Sequence, residues 1–378
     1  MSGRLLRWVC TGSALSALVT AAPLAPYPAH AVPGPGQRPV AELLTDLQRL
    51  YRQAEESTEQ YNAAEEQLKD KRREVAELNR GLARARAAAH DGRAAAGRLA
   101  RQQYQNGTVE FSPYVRLLLA RNPQGALDQR HVLHRAGAER AATVTRLVEG
   151  ARKADGLAGA ARRALAAQES LTQRQKSARN KVHARLREVE GLLAALSADE
   201  LAALRRAEER GAERAQRTLV ASGALGPAGA GRAPSARGAR ALRYAVKQIG
   251  KPYAWGAEGP SAFDCSGLTQ RAWGVAGRGI PRTSQQQWAR LPRVPLRKLR
   301  PGDLVVYFPK ATHVALYLGG GKVVHAPRPG TRVKVSPLAS NPVLGAVRPD
   351  PRAASVSGYR PPRLPAGATR GADGGWAG

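Results

Sequence analysis

No proline interrupts the chain between Pro39 and Pro113 or between Pro123 and Pro227, and that absence narrows the possible folds more than any other feature. Within the first window an apolar or small residue recurs at every seventh position: Leu47, Ala54, Tyr61, Leu68, Val75, Leu82, Ala89 and Ala96. Leu50, Ala64, Leu78, Ala85 and Leu99 are its companions, and eight heptads in one register predict a coiled coil. A second register runs Val144, Leu147, Ala151, Ala154, Ala158, Ala161, Leu165 and returns as Val182, Leu186, Val189, Leu193, Leu196. Gln168, Thr172, Gln175 and Arg179 interrupt its apolar seam, which predicts looser packing there. At 1.5 Å per residue each helix reaches roughly 100 Å. Pro113 and Asn122-Pro123 disfavour continuous helix between Ser112 and Gly125, so the expected form is an antiparallel hairpin over residues 40–220. Leu117-Leu118-Leu119 in that reversal is apolar enough for a short core helix at the tip, and fits a cap on the hairpin or a docking surface as alternatives.

The character of the chain changes twice more. Residues 221–239 are Gly, Ala, Pro, Ser and Arg without periodicity, a flexible linker. Residues 240–350 carry short β-type runs, Trp, Tyr and Gly-rich turns, enough for one domain, and 351–378 read as a disordered tail. At the other end, residues 1–31 have the parts of a signal peptide: Arg4 and Arg7, an apolar run from Trp8 to Ala25, and Ala29-His30-Ala31 as a cleavage site. Pro23, Pro26 and Pro28 argue against a retained anchor, and Arg7-Trp8-Val9 before Cys10 is unlike a lipobox. The expectation is therefore a secreted, extracellular protein. Its net charge of +31 would ordinarily suggest nucleic acid, but export removes that partner and leaves anionic wall polymers or phospholipid headgroups. From Arg240 onward 22 Lys/Arg face 5 Asp/Glu, so the C-terminal domain carries much of the charge; scattered solubilising arginines would account for it equally well.

Export also leaves a single cysteine, Cys265, because Cys10 falls in the signal. A lone thiol outside the cell is either half of an intermolecular disulfide or a reactive nucleophile. Asp264 can cap a helix running from Cys265 through Trp273, with Leu268, Ala272 and Val275 at helical spacing. A helix N-terminus and a neighbouring histidine both favour the thiolate, which is the attacking species. Two histidines follow. His313-Val314-Ala315-Leu316-Tyr317-Leu318, three glycines and Lys322-Val323-Val324-His325 read as a hairpin. Pairing Leu318 with Lys322 puts Ala315 opposite His325 and His313 one diagonal step away, both rings on one face; a one-residue slip would separate them. His90, His131, His134 and His183 lie in the helical region without metal-ligand company, no nucleotide motif is present, and no cofactor is expected.

Six ordered motifs then carry a resemblance. Pro252-Tyr253-Ala254-Trp255-Gly256, Phe263-Asp264-Cys265-Ser266-Gly267-Leu268, Pro281-Arg282-Thr283-Ser284 with Gln287, Pro301-Gly302-Asp303-Leu304, His313 to Gly319, and His325-Ala326 are similar to the NlpC/P60 family of papain-like cysteine peptidases, which cut peptidoglycan stem peptides. The resemblance covers residues 240–350; Ala257 departs from it, standing where the family often has a second glycine. It implies an α+β papain-like NlpC/P60 domain, the nucleophile helix packed on an antiparallel sheet, preceded here by the long all-α coiled-coil hairpin. It implies Cys265 as nucleophile, His313 as general base and then acid, and His325 as the polar residue holding the His313 ring. The Cys265 N–H and the Tyr253 hydroxyl would stabilise the oxyanion, and Asp264 and Ser266 match positions that contact substrate. Asp264 also fits simple helix capping. Arg282 fits either a partner for a stem-peptide carboxylate or a packed loop arginine, and Trp255 and Trp273 read as core.

The activity so implied is a secreted cysteine endopeptidase that hydrolyses the γ-D-glutamyl–diamino acid bond of stem peptides in wall remodelling or division. A non-catalytic wall-binding scaffold and an acyltransferase on the same fold are the alternatives, and a lone free thiol has no use in the first of them. The hairpin is free to self-associate, to bind division machinery, or to dock on the catalytic domain and cover its cleft.

Overall fold

The computed structural model describes residues 39–105, 123–226 and 232–369. The signal at 1–31 and the reversal around Leu117-Leu118-Leu119 lie outside the described residues. Helix α1 runs Val40–Gln105 and α2 runs Pro123–Ala194, 66 and 72 residues. Their seams meet antiparallel: Leu47 and Leu50 pack with Val189, and Gly92 lies against Leu147. On α1 the expected positions Leu47, Leu50, Ala54, Leu68, Leu82, Ala85 and Ala89 are buried. On α2 the register differs in part. Thr143 and Ala164 are buried, whereas Val144 and Leu165 face outward at 54% and 46% exposure. An alanine-rich seam distinguishes neighbouring positions by little more than a methyl group, so the apolar pattern fixes its phase weakly. The polar stretch of α2 stays in the hairpin: Gln175 Nε2 donates to Glu65 Oε2 at 2.6 Å, and Ala178 is buried below it.

Helix α3 (Ala198–Ala221) turns back along α1, started by a capping box in which Ser197 and Glu200 satisfy each other's backbone N–H groups. Among the described residues no helix is long and apolar enough to cross a membrane.

Helices α4 (Ala236–Lys247), α5 (Cys265–Val275) and α6 (Ser284–Arg290) belong to the C-terminal domain. Its strands are β1 (Arg293–Val294), β2 (Leu304–Tyr307), β3 (His313–Gly319), β4 (Lys322–His325), β5 (Lys334–Pro337) and β6 (Val343–Val347). They form one antiparallel sheet in the order β1-β6-β2-β3-β4-β5. Strict alternation divides it. Leu304, Val306, Val314, Leu316 and Val324 pack with Leu242, Leu268 and Trp273 of α4 and α5, while Val305, Tyr307, Ala315, Tyr317 and Val323 form a second core with Leu219 of α3 against it. Each fully buried Leu or Val of these layers contributes roughly 1.5–3 kcal/mol. The fold is the α+β arrangement expected.

Two boundaries move. The domain begins before 240: Ser235 caps α4 by accepting from the Gly238 N–H at 2.8 Å and also bonds Asp350. Glycine at 238 disguises this turn as linker, yet it is there because the Pro301 carbonyl would lie only 3.1 Å from a Cβ. The segment expected as a tail also stays on the domain as far as 369, with Ala368 buried and its carbonyl accepting from the Val335 N–H at 2.8 Å.

One glycine fixes the mouth of α5. A Cβ on Gly267 would drive into the Ala257 carbonyl oxygen, whose backbone is tied there because Asp264 N–H donates to it at 2.9 Å. Gly267→Ala is expected to cost about 3 kcal/mol and to lower the thermal midpoint by about 10 °C in calorimetry. An unchanged midpoint would mean that this approach relaxes freely.

Candidate active site

Asp264 adopts an extended backbone and its Oδ1 accepts from the Gly267 N–H at 2.7 Å, so Cys265 becomes the first residue of α5. Its sulfur also meets the Val314 N–H, which places the thiol beside the first residues of β3. Leu316 pairs with Val324, and continuing that register sets Ala315 opposite His325, with His313 on the diagonal. The turn itself differs from the expectation. A bulge at Leu318 pairs Gly319 with Lys322, leaving Gly320-Gly321 as a two-residue loop with the histidine register intact.

His313 Nε2 and His325 Nδ1 lie 2.8 Å apart, and His325 Nε2 lies 2.9 Å from Ser336 Oγ. Ser336 extends the relay to three residues, and sequence reasoning missed it. Its only signal was parity: His325 pairs with Lys334, which makes Ser336 the diagonal neighbour on the next strand. Burial, then the neighbouring His313, Lys334 and Arg328, hold the His325 pKa well below the usual imidazole range, so this ring is neutral. The relay leaves His313 Nδ1 without a hydrogen bond.

The other candidate residues gather around the thiol. Arg282 is 3% exposed; it donates to both oxygens of Asp264 at 2.6 and 3.1 Å, to Ser266 Oγ at 2.9 Å and to Glu258 at 3.0 Å. That network gives it the packed-arginine reading and gives Asp264 a positioning load beyond its cap. Tyr253 is buried close enough for the charges of Cys265 and Asp264 to raise its pKa, after burial itself. Gln287 ties the base of the site together, donating to the carbonyls of Ser266 and Pro281 and accepting from Thr269. Trp273 is core, with its indole N–H on the Gly302 carbonyl at 3.1 Å. Trp255 packs half-buried against the same core and is met edge-on by Tyr61 of α1 at 4.9 Å and His183 of α2 at 5.3 Å.

Helix α1 closes the cleft. Glu55, Thr58, Glu59 and Asn62, spaced i, i+3, i+4, i+7, form a buried polar stripe. Glu59 Oε1 lies 2.7 Å from Ser266 Oγ and 3.6 Å from the sulfur, and its Oε2 accepts from the Ser284 N–H at 3.1 Å. Asn62 Nδ2 donates to Asp264 Oδ2 at 3.1 Å. Glu55 Oε1 lies 3.3 Å from His313 Nδ1, at ion-pair distance but without hydrogen-bond geometry. In consequence Cys265 is 2% exposed and His313 fully buried. Burial, followed by the charges of Glu59, Asp264 and Glu55, pushes the Cys265 thiol well above its usual range. Helix N-terminus and histidine were expected to favour the thiolate; under α1 the opposite holds, because three carboxylates and the loss of solvent outweigh them.

The sequence model of the NlpC/P60 family matches residues 250–346. A probable endopeptidase of Corynebacterium glutamicum is 45% identical over 117 residues, which are 31% of this chain and 56% of that protein. A probable endopeptidase of Mycobacterium tuberculosis is 39% identical over 108 residues, 28% of each protein. Among solved structures, the NlpC/p60 domain of the peptidoglycan hydrolase SagA is 38% identical with a TM-score of 0.28, over 29% of this chain and 97% of that one. RipD from Mycobacterium tuberculosis, described as a non-catalytic NlpC/p60 domain protein adapted to peptidoglycan binding, is 33% identical with a TM-score of 0.28, over 30% and 96%. The chain thus spans about half the length of the corynebacterial relative and less of the mycobacterial one. Through residues 250–346, the stretch that holds the cysteine helix and most of its sheet, this chain belongs to the NlpC/P60 family.

Proposed function

We propose that the protein is a secreted cysteine endopeptidase acting on peptidoglycan stem peptides at the γ-D-glutamyl–diamino acid bond, held closed by its own helical hairpin. The observation that carries the reading is the relay ending on His313 Nδ1, which makes no hydrogen bond and meets only Glu55 of α1 at ion-pair distance, at the strand end where the Cys265 sulfur also lies. In the open enzyme His313 takes the thiol proton, and the sulfur attacks the scissile carbonyl carbon. The C–N bond then breaks as imidazolium protonates the leaving amine, and water hydrolyses the thioester to return the thiol. His325, kept neutral and anchored by Ser336, holds the His313 ring in place. The Cys265 N–H and Tyr253 hydroxyl receive the oxyanion, while Asp264 and Ser266 line the substrate side, Asp264 braced by Arg282. The excess of cationic residues in the catalytic domain suits anionic wall polymers around the substrate.

The test uses the full chain with α1 displaced by Glu59→Lys, incubated with purified wall. Mass spectrometry is expected to find fragments ending at γ-D-glutamate, all absent when Cys265→Ala is added. Binding to wall without fragments in either protein would replace the hydrolase with a scaffold.

A further inference from the structure

The closed form hides a second feature beside the relay. Arg328 lies three residues beyond His325, in a turn fixed from both sides. Its N–H donates to Thr331 Oγ1 at 3.2 Å, and the Thr331 carbonyl accepts from the Tyr253 N–H at 2.8 Å. This turn presents a guanidinium for which, among the described residues, the catalytic domain supplies no carboxylate. Both terminal nitrogens pair with Glu208 of α3, its plane lies 4.4 Å over the Tyr51 ring of α1, and its Nε is buried without a partner. Lys334, the cross-strand partner of His325, has its pKa depressed by burial and then by the Arg328 charge, and Glu208 and Glu209 of α3 offset these. Among the described residues, the negative charges that neutralise this corner therefore come from Glu55 of α1 and from Glu208 and Glu209 of α3.

A rigidly mounted arginine whose acid belongs wholly to a removable segment is a receptor with a stand-in ligand. A fork of two N–H groups on one carboxylate is also the geometry by which arginine selects carboxylates. We propose that Arg328, supported by Lys334, is a carboxylate-binding subsite on the histidine side of the cleft, and that Glu208 fills it in the closed form in place of a free carboxylate of the peptide substrate. The assignment rests on the hydrolase reading for its substrate, although the binding it describes does not need catalysis. Two carboxylates of a stem peptide have the required chemistry, the α-carboxylate of the glutamyl residue and that of the diamino acid.

The experiment takes the full chain carrying Glu59→Lys and Glu208→Gln, which displaces α1 and frees Arg328. The probes are L-alanyl-γ-D-glutamyl-L-lysine and its two mono-amides. Affinities are measured calorimetrically with Cys265→Ala added, and KM and kcat with the cysteine present. Arg328→Gln is expected to weaken the free tripeptide at least tenfold, mainly in KM, with partial recovery in Arg328→Lys. One mono-amide should bind the parent protein as weakly and ignore Arg328→Gln, and it names the carboxylate. Equal binding of all three peptides with and without Arg328, or an equal loss for all three, overturns the subsite. Arg328-dependent binding without hydrolysis keeps the subsite and removes the hydrolase, whereas hydrolysis indifferent to Arg328 does the reverse.

Discussion

Replacing Glu59 by lysine in the full chain is expected to raise hydrolysis of soluble stem-peptide fragments, and alkylation of Cys265, at least a hundredfold. Glu59 is 2% exposed and is an acceptor for Ser266 and Ser284. Lysine there puts an ammonium near Arg282, which already donates to Ser266, and leaves the Ser284 N–H buried without an acceptor. An unpaired buried charge costs several kcal/mol, and 3 kcal/mol corresponds to more than a hundredfold in the opening equilibrium. The catalytic domain keeps its core because Glu59 belongs to none of it. Glu77→Lys, exposed on the same helix, supplies the control and is expected to change neither rate. Unchanged alkylation in a folded Glu59→Lys protein would mean that Glu59 does not hold the cleft shut. Truncation makes the same comparison only if the cut is placed correctly. A deletion through 239 removes the Ser235 cap and the first turn of α4, so the cut has to fall before Pro234, whose carbonyl accepts from the Val356 N–H.

What the sequence could disclose followed the range of the forces involved. The α1 seam was legible because a heptad is a local repeat, Cys265 because Asp264 marks a helix start beside it, and His313 and His325 because strand parity ties them through a short hairpin. The α2 phase was half legible, since Thr143 for Val144 and Ala164 for Leu165 exchange little apolar area in a seam of alanines. Ser336 needed the pairing of a further strand that no local motif specifies. Glu55, Glu59 and Asn62 were hidden for a different reason. An acidic stripe off the apolar seam looks like any solvated helix face, and only the opposing surface shows that it is an interface. The surplus of cations after Arg240 was the available hint. It read as attraction to outside polymers, whereas part of it faces the chain's own acids, as in Glu56 with Lys310 at 2.9 Å and Glu208 with Arg328.

Between pH 6 and 8 the wild-type chain is expected to gain Cys265 reactivity much faster than thiol ionisation alone allows, and Glu59→Gln is expected to abolish the excess. Burial comes first and the Asp264 charge second in pushing Glu59 up to about 8, against the opposing pull of Ser266, Arg282 and the Ser284 N–H. Once α1 lifts away, an exposed glutamate titrates near 4.3. A carboxyl raised in the closed form strengthens closure fully below that open-state value, and the contribution drains away as pH climbs towards 8. Each unit within this window therefore multiplies the open fraction up to about tenfold. The charged or titratable groups acting on Glu59 from the catalytic domain are Asp264 and Arg282, with the Cys265 thiol 3.6 Å away. Cys265 reinforces the trend at higher pH, because its own pKa is raised in the closed form and falls on opening. Glutamine preserves the size of the protonated acid and a carbonyl acceptor for the Ser284 N–H without titrating, so it should keep the cleft shut at every pH. The ratio of wild-type to Glu59→Gln alkylation by iodoacetamide cancels the ionisation of the exposed thiol. That ratio is expected to rise about fiftyfold from pH 6 to 8, and a flat ratio would show that the proton on Glu59 plays no part in holding α1 over the thiol.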